Sequence, residues 1–171
     1  SGFLLIPTRR RTWGPEGHPP IMRYNYKHDR ISALAALTVS AQRRHMGLYI
    51  RFQQDNFTAM HVAHFLRLLL EHLRGAVVLV WDNGRIHRGP VIRQVQKEFS
   101  RLHLEHFPGY APELNPVEYL WGDFDGRLAN SLLHDCGQLR SRLHASKTRV
   151  SSSQPKLRSF VLGADLPSPP W

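Results

Sequence analysis

Two acids, Asp82 and Glu118, stand in places from which folded chains present side chains to ligands, with 35 residues between them. Asp82 ends the apolar run VVLVW and opens the phrase DNGRIH; Glu118 follows Asn115-Pro116-Val117 at the head of the phrase EYLW. Carboxylates are hard oxygen ligands. Two of them, brought together from separate elements, make a candidate site for a divalent cation such as Mg²⁺.

The elements that must position these acids can be read from local pattern. Ala76 to Trp81 is continuously apolar and rich in valine, and Asn83-Gly84 follows. That combination predicts a buried parallel strand breaking into a turn. Asp82 is then at a strand's carboxyl end, where open α/β sheets bind ligands. Asn115 suits a helix N-cap, Pro116 the first helical position, and Glu118 the third, so the spacing predicts a helix over Pro116–Leu128.

Each acid also has a purely local reading. Asn115 and Glu118 have the spacing of a capping box, in which Glu118 returns a hydrogen bond to the cap. Asp82-Asn83-Gly84 is good turn chemistry whether or not it binds anything.

Both phrases, taken whole and in order, resemble the DDE transposases of the Tc/mariner superfamily and their bacterial insertion-sequence relatives. That family has a strand ending in Asp-Asn, a His a few residues later, and a Pro-Glu-Leu-Asn-Pro-(apolar)-Glu-(aromatic)-(apolar)-Trp phrase opening a helix. Here the matching residues are Asp82, Asn83 and His87, then Pro112 through Trp121. The resemblance continues through Ser1-Gly2-Phe3, Arg11-Thr12-Trp13-Gly14-Pro15, Gly47-Leu48-Tyr49 and Arg158-Ser159-Phe160.

The resemblance implies an RNase H-like α/β fold, a mixed sheet flanked by helices with its first strand truncated. It implies metal-dependent DNA strand cleavage and strand transfer, with Asp82 and Glu118 as the second and third catalytic acids and metal ligands. Asn83, His87 and Asn115 are implied as supporting residues. The cofactor would be Mg²⁺ or Mn²⁺ in a two-metal site, where one cation activates the attacking oxygen and the other stabilises the leaving one. The partners would be DNA, both transposon ends and target, and a second subunit in a homodimer. The family's first acid precedes the position of Ser1 by two residues and has no match. The expectation is therefore a truncated catalytic domain, lacking also a helix-turn-helix part, with weak activity or none. A noncatalytic DNA-binding or dimerisation remnant is the alternative.

Charge agrees with a nucleic-acid partner. The net charge is +10, with 23 Lys+Arg against 13 Asp+Glu, a balance that attracts phosphate. Residues 1–75 hold 11 basic against 4 acidic residues, residues 76–133 hold 6 against 7, and residues 134–171 hold 6 against 2. Basic flanks around an acidic centre would hold a DNA backbone over a metal site. The candidate DNA contacts are Arg9, Arg10, Arg11, Trp13, Arg43, Arg44, Arg85 and Arg88, with Trp13 on a Gly/Pro-rich excursion that resembles an inserted hairpin in the family.

The 11 histidines include no HExxH and no paired Cys/His spacing, so zinc is not expected. His61 with His64, and His103 with His106, read as structural or exposed pairs. The lone Cys136 excludes an internal disulfide and fits a reducing compartment. Without a signal-peptide pattern or a membrane-length apolar run, the expected location is the bacterial cytoplasm, in association with the nucleoid.

Further strands are predicted at Gly2–Ile6, Ile31–Ser40, Met46–Phe52 and Leu102–His106. Helices are predicted at Met60–Leu73 with Thr58 as N-cap, at Val91–Phe99 and around Gln138–Ala145. Residues 1–148 would form the catalytic domain. Residues 149–171, rich in Ser and Pro, read as a loose tail.

Overall fold

The computed structural model describes residues 1–6, 8–18, 21, 29–42 and 44–166. The chain alternates from strands to mixed strands and helices: β1 (Gly2–Leu4), β2 (Arg30–Val39), β3 (Met46–Gln53), α1 (Ala59–His72), β4 (Val77–Trp81), α2 (Pro90–Glu98), β5 (Leu102–His106), α3 (Pro116–Leu128), α4 (Cys136–Ser151) and α5 (Gln154–Gly163). Short 3-10 turns at Arg85–His87 and Pro112–Leu114 precede α2 and α3.

Strands β1, β2 and β3 form an antiparallel meander, with Phe3 opposite Ile31 and Ala36 opposite Tyr49. Strands β4 and β5 pair in parallel, Val77 with Leu102 through Trp81 with His106. Among the described residues no hydrogen bonds join these two sheets.

Each sheet buries a face against helices. Alternate residues of β2, Ile31 and Ala33, join Phe3 and Met46 in a core completed by Leu120, Trp121 and Phe124 of α3, Leu139 and Leu143 of α4, and Leu157 and Phe160 of α5. On the other side Val62, Leu66 and Leu70 of α1 pack with Ile92 and Val95 of α2, Trp81 and Leu102. Leu34 of β2, one residue out of step with Ala33, packs against this second cluster, as the period-2 pleat requires. Each fully buried Leu, Val or Phe here contributes about 1.5–3 kcal/mol over an exposed one.

Local signals account for the helix ends. Thr58 caps α1, and His61 returns a bond to the Thr58 backbone in a capping box, so this histidine has a structural duty. Asn115 caps α3 by accepting from the Val117 N–H at 3.1 Å.

The structure departs from sequence expectation in two places. The apolar run of β4 is not buried throughout: Val77 and Leu79 face the α1–α2 core, whereas Val78 and Val80 remain 65% and 44% exposed. The Ser/Pro-rich segment after Thr148 is not a loose tail over its described length. Helix α4 runs on to Ser151, and α5 follows at once. Ser153 caps α5 by accepting from the Lys156 N–H, Pro155 sits in its first turn, and Leu157 and Phe160 are buried. Ser and Pro here are helix-start residues rather than loop residues. Residues 167–171 lie outside the described part.

Candidate metal and DNA site

Asp82 leaves β4 at its carboxyl end and folds back on its own turn. Its Oδ1 accepts from the Gly84 N–H at 2.7 Å and lies 2.8 Å from His87 Nδ1. The turn reading of Asp82 is therefore correct as far as it goes; the carboxylate is held in a fixed orientation while its side chain stays well exposed.

Several residues brace that orientation. Asn83 donates to the Phe107 carbonyl at 2.9 Å, tying the β4 turn to the end of β5, and accepts from Arg88 at 2.7 Å. The His87 ring stacks on Trp81, 4.6 Å between centroids and 2° from parallel. His106 adds a tilted contact with Trp81 at 6.0 Å and places Nδ1 3.4 Å from the Asp82 carbonyl. Sequence pattern pointed to Asn83 and His87 as supporting residues and to Gly84 as a turn residue, but not to Trp81 or His106. Only the pairing of β4 with β5 carries His106 there.

Gly84 is required for close approach. A Cβ at this position would meet Asp82 Oδ1 at 2.7 Å. Gly84→Ala is expected to rotate Asp82 out of its present contacts, costing about 1–2 kcal/mol in Tm measurements and shifting the His87 ring resonances in NMR spectra.

Glu118 occupies the first turn of α3. It does not complete a capping box, because the Asn115 N–H already donates to the Pro112 carbonyl at 3.0 Å. The carboxylate is exposed by surface area yet close enough to other groups that partial desolvation raises its pKa; the Ser1 ammonium lowers it and Asp82 raises it. Ser1 in turn has its ammonium pKa lowered by burial, against the raising effect of Glu118 and Asp82. Asp82 and Glu118 line the same cavity, and the Asp82 charge contributes to raising the Glu118 carboxyl. Two carboxylates sharing a site are the donor chemistry that a hard divalent cation fits. Among the described residues, no group of three or more His, Cys, Asp or Glu could hold a metal.

Because the Glu118 carboxyl is raised in the folded chain, folding binds a proton and stability falls as pH rises out of the ordinary glutamate range. Glu118→Gln is expected to remove that slope and raise Tm at neutral pH by no more than about 2 °C, since the group is half in water. A steeper pH slope in the variant would contradict this.

Asp123 and Asp125 follow Glu118 on α3 but belong to other contacts. Burial raises the Asp123 carboxyl, but hydrogen bonds from Arg127 at 2.6 Å and Lys156 at 2.7 Å outweigh it and hold it below the aspartate range. This carboxylate joins α3 to α5 and is not available as a third ligand. Asp125 is raised by burial and eased by the Arg10 charge.

The basic candidates separate into groups. Arg9, Arg10, Arg11 and Trp13 lie on the exposed stretch after β1, with Trp13 99% exposed. Asn130 brackets the Arg10 backbone with bonds of 3.0 and 2.9 Å, and the guanidinium lies over Gly126 of α3. Arg44 lies exposed between β2 and β3; Arg43 is outside the described residues. Arg85 and Arg88 flank the 3-10 turn beside Asp82, and Arg88 is spent on Asn83.

A family model described as DDE superfamily endonuclease matches residues 1–140. No curated protein matches the chain. Among solved structures, the Mos1 strand transfer complex is similar with a TM-score of 0.65 and 14% identity, over 96% of this chain and 48% of that one. The Mos1 transposase paired-end complex with left transposon end gives 0.67 and 15%, over 96% and 49%. The catalytic domain of Mos1 mariner transposase gives 0.56 and 13%, over 78% and 74%. The present chain spans about half the length of the first two. These likenesses establish the RNase H-like α/β fold. With four-fifths of its length covered by the family model, the two acids at its centre and the fold around them, the chain is a member of the DDE superfamily endonuclease family.

Proposed function

We propose that this chain, with α4 and α5 packed into its core, is the catalytic domain of a cut-and-paste DNA transposase of Tc/mariner type from a bacterial insertion sequence, acting in the cytoplasm. The observation that carries this is that Asp82 and Glu118 line one cavity in a DDE-family chain, with Glu118 released from any capping duty. Asp82 and Glu118 would hold Mg²⁺ or Mn²⁺. Bound there, a pair of such cations activates the attacking water or 3′-hydroxyl and stabilises the leaving oxygen. Asn83, His87 and Gly84 keep Asp82 aimed, and Asn115 sets the start of the helix that presents Glu118.

DNA is the proposed substrate, both as transposon ends and as target, and a homodimer the proposed assembly. The described complexes of Mos1 with transposon ends support both. Among the described residues no helix is long and apolar enough to cross a membrane, and the charge of +10 favours a phosphate backbone.

With two acids gathered, one of two cations is poorly held, so residues 1–171 alone are expected to cut DNA weakly or not at all. Melting curves with Mn²⁺ or chelator, together with nicking of supercoiled plasmid, test this. Mn²⁺ is expected to raise Tm for the natural chain and not for Asp82→Ala. Robust metal-dependent nicking that Asp82→Ala abolishes would overturn the weak-site reading while keeping the enzyme. Equal melting and equal DNA binding in Mn²⁺ and in chelator would favour a noncatalytic DNA-binding or dimerisation remnant.

A further inference from the structure

The loop between β5 and the 3-10 turn at Pro112–Leu114 holds one residue in a backbone conformation that its type disfavours. Tyr110 has a φ of 59°, in the left-handed region where a Cβ crowds the following carbonyl oxygen. Gly109, which could enter that region without strain, precedes it and does not. Nothing that the side chain touches offsets the strain. Tyr110 is fully exposed, and among the described residues its side chain has no hydrogen bond and no ring contact.

The conformation persists because the chain is fastened on both sides of it. Before it, the Phe107 N–H donates to the Trp81 carbonyl at 2.8 Å, and the Phe107 carbonyl accepts from the Asn83 side chain at 2.9 Å. After it, the Leu114 N–H donates to the Ala111 carbonyl at 3.2 Å, and the Glu113 carbonyl accepts from the Asp165 N–H at 3.1 Å. Tyr110 is presented by a fixed loop.

Its place follows from the same contacts. Strands β4 and β5 are parallel and end together, Trp81 beside His106, so the loop leaves from the edge that carries Asp82. It leads to Asn115, the cap of the helix that carries Glu118. The ring therefore stands on the rim that joins the two acids, beside a carboxylate open to solvent. A flat aromatic held out at such a rim matches a flat partner with a free face, and for a chain acting on DNA that partner is a nucleobase. Bases inside a duplex have both faces covered by their neighbours; an unpaired base offers one to the ring.

We propose that Tyr110 stacks on an unpaired base next to the phosphate at Asp82 and Glu118, and so selects DNA with single-stranded nucleotides at that point over intact duplex. This rests on the reading of the chain as an enzyme acting on DNA.

The test is fluorescence anisotropy on residues 1–171 with a labelled blunt duplex and with the same duplex carrying a single-stranded tail of about six thymidines. Both are measured in Ca²⁺, which takes the same oxygen ligands. The natural chain is expected to bind the tailed duplex about tenfold tighter, the effect of one stacked base. Because a tail also adds phosphates, the variants decide. Tyr110→Gly, which relieves the strained φ, is expected to reduce the preference to less than about threefold without lowering Tm, whereas Tyr110→Trp keeps it. Arg85→Ala is expected to weaken both probes alike and leave the preference in place. Equal affinity of the natural chain for the two probes, or a preference that Tyr110→Gly retains in full, would overturn the proposal. Binding of neither probe would remove the DNA reading itself, and the proposal with it.

Discussion

Raising salt from about 50 to about 200 mM is expected to weaken binding of nonspecific duplex DNA roughly 500-fold. Each phosphate contact contributes a slope of about 0.9 in the logarithm of affinity against the logarithm of salt, and about five contacts give that loss. The seven candidate arginines, Arg9, Arg10, Arg11, Arg43, Arg44, Arg85 and Arg88, are taken to supply about five such contacts at once, with Arg10 lying over α3 beside Asp125. Arg85→Ala is expected to lower the slope by about 0.9, while Arg10→Ala changes it much less. Fluorescence anisotropy with a labelled duplex over a salt series measures both, and a flat response would remove the basic flanks from the functional reading.

Phe124→Ala is expected to cost about 3–5 kcal/mol and lower Tm by roughly 6–20 °C. Phe124 is fully buried and packs edge-on against Trp121 at 6.1 Å and at a tilt against Phe3 at 6.1 Å. The cavity would open where β1 meets α3, the helix that carries Glu118. The raised Glu118 carboxyl arises from desolvation by its surroundings and, after that, from the Asp82 charge, against the lowering effect of the Ser1 ammonium, so loosening α3 is expected to relax it toward the ordinary glutamate value. Melting curves give the first effect, and carboxyl titration by NMR gives the second. A loss in Tm below about 2 °C would mean that the core around β1 contributes little to holding α3.

Much of this was legible in the chain. The α3 boundaries, Pro116–Leu128, and the β5 boundaries, Leu102–His106, are those the residue pattern predicts. Thr58 and Asn115 cap the helices they are expected to cap. These features depend on neighbours within four residues, where side-chain hydrogen bonding and apolar period act directly. The Ser/Pro-rich stretch before α5 was misleading for the same reason. Its local composition suits a loop and a helix start equally, and burial of Leu157 and Phe160 against distant elements selects the helix.

The site divides in the same way. By itself, the sequence determined which acids are the candidates, which element ends carry them, and the family whose motifs they belong to, because these rest on residue type and short spacing. Only the tertiary structure decided that Asn115 N–H is taken by Pro112, leaving Glu118 for other work, and that Asp123 is bound by Lys156 of α5. It alone brought His106 beside Trp81. Apart from the local Asn115–Pro112 bond, each of these depends on groups far apart in the chain meeting within a few ångströms, and such a meeting is set by how sheets and helices pack, not by the residues on either side.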